Sequence, residues 1–396
     1  MIHSSPSARA WRQLLALTFT HAIADTYVGI IAPILIPMRD RYGLPLSGLI
    51  FIASLLGFSS NIFQIPVGHL RATWRSPILI VMGVLLAGLT VLIPTLPVTA
   101  LSPVWMSLLA LLAGFGVATV HPEGLRALHG IHHISSSLTT AIFMVSGFMG
   151  FAGGALLSAT LTDCFGLNSL RWLYLAAPIA AVVISVCGLR LPIETPVSQV
   201  AAPPPTRPEN IPGLAFGPLF LMAAILATCS QIQATLLPSY LHEEAGYSLS
   251  FSGLSFTLFG VGGTVGAILW GLLAPRFGHL RILLFSSLVG APLTAIYLFC
   301  APYSTAAAWL LILTGFIVYT GFPLCITLAR YADSRLRFGT RMGLASGGSW
   351  AIAAIALWIL GPLTLHTGIG PLLHLIWIGY LGTAGLTWHL MRHSHR

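Results

Sequence analysis

Long apolar stretches alternate with short polar segments along almost the whole chain. Twelve of these stretches reach about 20 residues, the length that a helix needs to cross a hydrocarbon layer roughly 30 Å thick. The pattern therefore predicts twelve membrane-spanning helices, which we number span one to span twelve in chain order. They cover approximately residues 13–37, 47–67, 77–96, 103–123, 135–161, 170–190, 213–238, 250–274, 281–300, 305–329, 341–364 and 371–391.

The composition agrees with a membrane protein. Of the 396 residues, 56% are hydrophobic and 7% are charged, whereas a soluble domain carries about 25% charged residues. So few charges cannot cover the surface of a water-soluble body of this size. The composition therefore argues against a cytosolic enzyme, a nucleic-acid-binding protein and a secreted disulfide-rich protein. The five cysteines show no CxxC spacing and predict neither a disulfide nor a metal site.

The arginines predict how the chain is oriented in the membrane. With the N-terminus in the cytoplasm, fifteen of the 18 arginines lie in cytoplasmic segments and three, Arg39, Arg41 and Arg171, lie on the opposite side. Cytoplasmic loops of membrane proteins carry such an excess of positive charge. We therefore expect both termini in the cytoplasm and no nucleic-acid partner. The basic residues are all arginine and histidines are frequent, which is typical of a GC-rich bacterial genome, so we expect a multi-pass protein surrounded by the lipid of a bacterial inner membrane.

A proline-rich segment divides the predicted helices into two groups of six. Residues 191–212 contain seven prolines and cannot form a continuous helix. We predict an extended cytoplasmic linker here, between an N-terminal bundle at 1–190 and a C-terminal bundle at 213–396. The halves also share residues at offsets of 201 or 203 positions, a pattern typical of transporters built from repeats. The matches include Gly114 with Gly315, Pro122 with Pro323, and Gly68 with Gly271.

An acidic residue interrupts the first span. Asp25 lies twelve residues into the predicted helix, about 18 Å along its axis and near the middle of the bilayer. A charged side chain there costs about 2.5–3.5 kcal/mol on insertion scales, and such residues commonly serve a proton or ion path. We predict that Asp25 binds the coupling proton. The alternative is a protonated Asp25 in a structural hydrogen bond between helices.

Two histidines are further candidates for proton coupling. His21 precedes Asp25 by four residues and lies on the same helix face, and histidine titrates near neutral pH. His121, at the end of span four, either faces a cavity or packs against a neighbouring helix. Glu123 either contacts substrate or pairs with Arg126, three residues later.

These features resemble the major facilitator superfamily. The twelve spans in two groups of six, the central linker and the loop that follows spans two and eight are similar to those of that family. The resemblance implies an all-α membrane fold of two six-helix pseudo-repeats, in which the loops take part in conformational change. The loop residues are Gly68, Arg71 and Arg75 in the first copy and Gly271 and Arg276 in the second; the family's loop aspartate is replaced by Ala72 and Pro275.

Three stretches are similar to the fosmidomycin-resistance-type exporters within that superfamily. They are HAIADTYVGIIAPILIP at 21–37, FGVATVHPEG at 115–124 and VSGFMGFAGGALLS at 145–158. The resemblance implies export of a drug or metabolite by proton antiport, with the proton gradient as energy source and no cofactor. It also implies a monomer.

The superfamily fold lines its central cavity with spans one, four, seven and ten. The candidates for the substrate cavity are Tyr27, Glu123, Gln231, Gln233, Tyr319 and Thr320 in these spans and Trp350 in span eleven. The alternative is pairing with Arg126 for Glu123 and packing for each of the others. Two prolines that remove a helix hydrogen bond and four small residues that permit close helix contact are candidates for conformational change. They are Pro122, Pro323, Gly147, Gly150, Gly153 and Gly154.

The leading prediction is a proton-coupled exporter of a small organic compound that works by alternating access. An importer or facilitator of a small metabolite on the same fold is the second hypothesis. A membrane enzyme using His121 and Glu123 is the third, but the chain shows no GxSxG, HExxH or carboxylate-pair motif. The clustered histidines lack partners at metal-ligand spacing, so we predict no metal site; they are His129, His132, His133, His393 and His395.

Overall fold

The described residues of the computed structural model are 6–70, 75–192, 213–336 and 338–393. Within them the chain forms helices and no β-strand, which confirms the all-α prediction. The predicted linker at 191–212 lies outside the described residues except for its first two positions. Arg71, one of the predicted loop residues, also lies outside them.

Eleven stretches of described helix are long and apolar enough to cross a membrane. The helix that contains predicted span twelve is Gly370–His393, which is not among these eleven because it is less apolar. Spans one to eleven are Ser7–Tyr42, Leu46–Gly68, Ile78–Thr95, Ser102–Leu128, Leu138–Phe165, Leu167–Val186, Phe216–Glu243, Leu249–Phe277, His279–Cys300, Thr305–Arg330 and Thr340–Thr367.

Several spans are interrupted within these limits. In span one the regular α-helix is Pro6–Gly29, followed by a short 3₁₀ turn and the helix Leu35–Tyr42. Span ten is divided into Ala308–Val318 and Gly321–Arg330, and span eleven contains a π-helical turn at Leu344–Gly348. Interruptions of this kind re-aim side chains along a helix and are frequent at functional sites.

Local sequence signals set the ends of the long helices. The side chain of Ser135 accepts a hydrogen bond from the Leu138 amide at the start of span five, and Ser248 does the same for Phe251 at the start of span eight. These are N-caps that satisfy an otherwise unpaired amide. Span one ends at Gly43, whose φ of 62° is a left-handed conformation that glycine adopts without strain.

The described residues form two compact units. The first comprises the described parts of 1–43 and 55–202, and the second comprises 44–54 and the described parts of 203–396. The first part of span two therefore belongs to the second unit. No measurement tests the predicted boundaries at 190 and 213, which stay a prediction.

Equivalent helix contacts in the two units correspond to the sequence repeat. In the first unit a Cβ on Gly114 would lie 2.6 Å from the Leu56 carbonyl oxygen. In the second unit a Cβ on Gly315 would collide with the Phe259 carbonyl oxygen. Gly315 follows Gly114 by 201 positions, and Phe259 follows Leu56 by 203. Spans two and four therefore pack through the same glycine contact as spans eight and ten.

Candidate functional site

Spans one and five approach each other closely through glycines. A Cβ added to Gly150 would collide with the Ala22 carbonyl oxygen, and one added to Gly154 would collide with that of Thr26. Backbones can come this close only where a side chain is absent. Gly153 differs from the prediction because nothing lies within 4 Å of the position of its Cβ; it lies on another face of the helix.

This contact places three ionisable side chains of the first unit together. Nε2 of His21 lies 3.3 Å from Oδ2 of Asp25, and Nε2 of His121 lies 3.1 Å from Oδ1 of the same carboxylate. We call His21, Asp25 and His121 the triad. The structure thus brings together the three residues predicted for proton coupling, with the carboxylate between the two imidazoles. Whether they carry protons stays a prediction.

The ring of His21 is held in one orientation. Its Nδ1 lies 2.8 Å from the carbonyl oxygen of Phe143 in span five and 3.3 Å from the hydroxyl of Ser146. The Phe143 ring stacks on the imidazole with centroids 3.8 Å apart and an angle of 5° between planes. Because a carbonyl oxygen can only accept a hydrogen bond, Nδ1 carries a hydrogen and donates it.

This orientation decides what Nε2 of His21 can do. In a neutral imidazole with hydrogen on Nδ1, Nε2 holds a lone pair, and here it lies 3.3 Å from Oδ2 of Asp25. An ionised carboxylate also offers only lone pairs. Lone pairs this close repel in a buried site, so a cation shared by the two groups would stabilise the arrangement. A proton is the simplest one, on either Nε2 or the carboxyl group.

The triad is largely enclosed. The side chains of His21, Asp25 and His121 are 3%, 15% and 26% exposed, so the site is more open on the side of Asp25 and His121. Gly147 of span five closes the opposite side. A Cβ there would collide with Oδ2 of Asp25 and Cε1 of His21 and would lie 2.8 Å from Nε2 of His21. Gly147 therefore leaves the space that the triad occupies.

Glu123 and Tyr27 correct the predicted substrate cavity. Glu123 is buried and forms an ion pair with Arg126, whose Nη1 lies 3.1 Å and 3.3 Å from the two carboxylate oxygens. The structure thus supports the pairing alternative for Glu123. Tyr27 is also buried, and its hydroxyl donates to the Leu173 carbonyl oxygen at 2.9 Å. The polar groups of both side chains are therefore bonded to other parts of the first unit, which argues against a role in binding substrate.

The other candidates for the substrate cavity lie in the second unit. Gln233 and Thr320 are buried, and their side-chain oxygens have no hydrogen-bond partner among the described residues. The amide of Gln231 donates to Thr235 at 3.4 Å. Tyr319 packs edge-on against Phe259, with centroids 5.8 Å apart, and Trp350 packs against Phe322 at 5.4 Å.

The two predicted kink positions differ. The helix of span four continues through Pro122, whereas span ten is interrupted at Tyr319 and Thr320, just before Pro323. A proline removes one helix hydrogen bond in either case. In span ten the α-helix ends at Val318 and a second helix begins at Gly321. Pro323 therefore matches the expectation of a kink better than Pro122 does.

The described loop residues leave their predicted role open. Added Cβ atoms on Gly68 and Gly271 would meet nothing within 4 Å, so neither glycine is needed for packing. Arg75 is exposed, and its carbonyl oxygen accepts a hydrogen bond from Leu191. Arg276 is exposed beside the ring of Phe277. Their part in conformational change stays a prediction.

Two residues of the site were not identified from the sequence. Phe143 and Ser146 hold His21, which is more than 120 positions away in the chain. The backbone carbonyl of Phe143 has no sequence signature, so only the fold could reveal it. The glycine next to Ser146, Gly147, was noticed as a packing residue, and its position against the triad is the additional finding.

One group of side chains among the described residues has the spacing of metal ligands. It is the triad, whose ligating atoms all lie within 4.8 Å of one another. The described histidines of the loop after span four do not form such a group.

Comparisons with known proteins agree with this architecture. The profile of the Major Facilitator Superfamily matches residues 15–357. The fosmidomycin resistance protein of Escherichia coli (strain K12) is 24% identical over 371 residues, which cover 89% of this chain and 86% of that protein. The uncharacterized MFS-type transporter YfnC of Bacillus subtilis (strain 168) is 24% identical over 392 residues, covering 96% and 93%.

Solved structures show the same fold at low sequence identity. A bacterial homolog of the human lysosomal transporter Spinster, crystallised in an inward-facing and occupied conformation, has a TM-score of 0.71 at 14% identity, with 98% of each chain covered. A POT family transporter in complex with 5-aminolevulinic acid has a TM-score of 0.69 at 13% identity, covering 97% of this chain and 95% of that chain. The chain therefore belongs to the Major Facilitator Superfamily and is a multi-pass membrane transporter with that superfamily's all-α fold.

Proposed function

We propose that the protein is a proton-coupled exporter of a small organic compound and that the triad is its proton-binding site. The observation that carries the proposal is the orientation of His21. Its Nδ1 donates to a backbone carbonyl, so its Nε2 carries a lone pair at 3.3 Å from Oδ2 of Asp25. A proton removes the resulting repulsion, and its release restores it, so proton binding changes the stability of the contact between spans one, four and five.

The proton gradient then supplies the energy. When the site is open to the outside, a proton binds between His21 and Asp25; when it is open to the cytoplasm, the proton leaves. Because the gradient is directed inward, the exchange of a proton for a compound moves the compound outward. The proposal includes an inner-membrane location with both termini in the cytoplasm, as the arginine distribution predicts.

Two further observations support the proposal. The name of the Escherichia coli relative supports export of a toxic compound. In the second unit, Gln233 and Thr320 have buried oxygens without a hydrogen-bond partner among the described residues, and such groups favour a polar ligand because their desolvation is otherwise uncompensated. We propose these two side chains as substrate contacts, together with Gln231, Tyr319 and Trp350.

The test begins with growth of a drug-sensitive bacterial strain that expresses the protein, on a panel of toxic compounds starting with fosmidomycin. A compound to which the protein gives resistance is then added to everted membrane vesicles, and proton movement is followed with a pH-sensitive dye. We expect Asp25→Asn to remove the proton movement and the gradient-driven transport. Asp163→Asn makes the same chemical change at an exposed site near the end of span five and should transport normally.

Normal transport by Asp25→Asn would remove the triad from the mechanism. Counterflow in vesicles of known orientation, with and without a pH gradient, separates the alternatives. Accumulation in the direction of proton flow would identify an importer, and transport that ignores the gradient would identify a facilitator.

A further inference from the structure

We propose that the triad also binds a divalent transition-metal ion, with Zn²⁺ as its representative. The ligands are Nε2 of His21, a carboxylate oxygen of Asp25 and Nε2 of His121. This goes beyond the proposed transport function and departs from the sequence-based expectation of no metal site. Binding of the ion does not depend on proton coupling; only an effect of the ion on transport would rest on the proposed function.

The distances suit such an ion. Ligands about 2.0–2.1 Å from a tetrahedral zinc lie roughly 3.3 Å from each other. Nε2 of His21 lies 3.3 Å from Oδ2 of Asp25, and Nε2 of His121 lies 3.1 Å from Oδ1. With one ligating atom taken from each residue, no two of these atoms are more than 4.8 Å apart. Each pair therefore reaches the tetrahedral spacing with a shift of about 1.5 Å or less. Asp25 and His121 can provide this shift because both are partly exposed.

The surroundings of His21 are those of a metal-binding histidine. Such a residue commonly donates its second ring N–H to a backbone carbonyl or carboxylate, which fixes the tautomer and aims the other nitrogen at the ion. Nδ1 of His21 is bonded in this way to Phe143, and the stacked Phe143 ring restrains the imidazole plane. Nε2 of His21 and Nδ1 of His121 make no hydrogen bond among the described residues, so Nε2 of His21 is free to bind the ion.

The donor set selects the class of ion. Two imidazoles and one carboxylate suit Zn²⁺ and its neighbours such as Co²⁺ and Ni²⁺, whereas Mg²⁺ and Ca²⁺ prefer oxygen ligands. Three protein ligands leave a fourth position open, as in zinc sites that exchange a ligand. The same lone pairs that repel when the site is empty of cations converge on the ion, and its charge compensates that of Asp25.

The experiment measures Zn²⁺ binding to the purified full-length chain without an affinity tag, by titration calorimetry, with Co²⁺ absorption as a second signal. We expect one tight site per chain. Asp25→Asn and His121→Gln should each weaken it by more than about 100-fold, since loss of a merely supporting partner already costs about 10- to 100-fold.

Two controls separate the triad from other histidines. His279→Gln removes a buried histidine of the second unit whose Nδ1 has no hydrogen-bond partner among the described residues. Replacement of His129, His132 and His133 by Asn removes the histidines of the loop after span four. Both controls should keep the tight site.

Survival of the tight site in Asp25→Asn and His121→Gln, its loss in the loop variant, or its absence from the wild type would overturn the proposal. Thermal unfolding shows which variants are folded. If Asp25→Asn is not folded, the Zn²⁺ affinity of His121→Gln alone decides whether the triad binds the ion. The outcome is separate from that of the transport test. Tight Zn²⁺ binding with proton-independent transport would retain the metal site and reject proton coupling. Proton-coupled transport without tight Zn²⁺ binding would retain proton coupling and reject the metal site.

Discussion

At the scale of residues, one hydrogen bond determines the chemistry of the site. The Phe143 carbonyl accepts from Nδ1 of His21 at 2.8 Å and so leaves a lone pair on Nε2, which lies 3.3 Å from Oδ2 of Asp25. The spacing of four residues between His21 and Asp25 predicts their contact from the sequence alone. The contribution of His121 could not be predicted in the same way, because its contact with Asp25 depends on how span four packs against span one.

Gly147→Ala should disable the triad without changing any of its ionisable groups. The added methyl group would collide with the Asp25 carboxylate and the His21 ring, so the three side chains must move. Displacement of a reacting group by 1 Å can cost about 100-fold in enzymes, and we expect a transport rate lower by a similar factor. The measurement is gradient-driven transport in everted vesicles.

Gly153→Ala is the matched control for this prediction. It adds the same methyl group to the same helix at a position where nothing lies within 4 Å. It should transport normally and gain about 0.5–1 kcal/mol of helix stability. Equal transport rates for the two variants would show that the space beside the triad is not needed.

At the scale of helices, small residues and one buried ion pair hold the first unit together. Gly150 and Gly154 bring spans one and five into backbone contact. At the end of span four, Arg126 pairs with Glu123 and its Nε donates to the Pro192 carbonyl oxygen at 3.0 Å. The ion pair therefore also attaches the segment that follows span six to span four.

Arg126→Leu should destabilise the first unit strongly. Both partners of the pair are essentially inaccessible, at 0% and 1% exposure, and removal of one partner of a buried ion pair costs about 3–5 kcal/mol because the other charge loses its counter-charge. Glu123→Leu combined with Arg126→Leu should recover much of the loss, because no unpaired charge remains. The measurement is the apparent melting temperature in detergent.

Arg276→Leu provides the comparison for that measurement. It removes an arginine that is exposed near the end of span eight, where substitutions change stability by about 0.5 kcal/mol or less. A melting temperature for Arg126→Leu no lower than that for Arg276→Leu would contradict the structural importance of the Glu123–Arg126 pair.

At the scale of the whole molecule, Cys164 can report the orientation of the chain. It is exposed at the end of span five, on the side that the arginine distribution assigns to the outside of the cell. In a Cys300→Ser background, a membrane-impermeant thiol reagent added to intact cells should label Cys164. The other cysteines of that background, Cys187, Cys229 and Cys325, are buried and should not react.

A cysteine on the opposite side completes the orientation test. His132→Cys, combined with Cys164→Ser and Cys300→Ser, places an exposed thiol in the loop between spans four and five. It should react only after the cells are permeabilised. Labelling of this variant, but not of Cys164, in intact cells would reverse the predicted orientation and with it the proposed direction of transport.

The sequence by itself determined the class of protein and the positions of its helices. Hydropathy and helical spacing are local properties, so they predicted spans that match the described helices to within a few residues in most cases, and they paired His21 with Asp25. The glycine repeat was also visible in the sequence, and its members Gly114 and Gly315 make equivalent contacts in the two units.

Only the tertiary structure decided which side chains meet across helices. It brought His121 to Asp25 and the Phe143 carbonyl to His21. Residues of different helices meet according to which face each helix turns to its neighbours. An apolar helix with weak amphipathicity does not record that rotation in its sequence, because lipid and protein neighbours both favour apolar side chains.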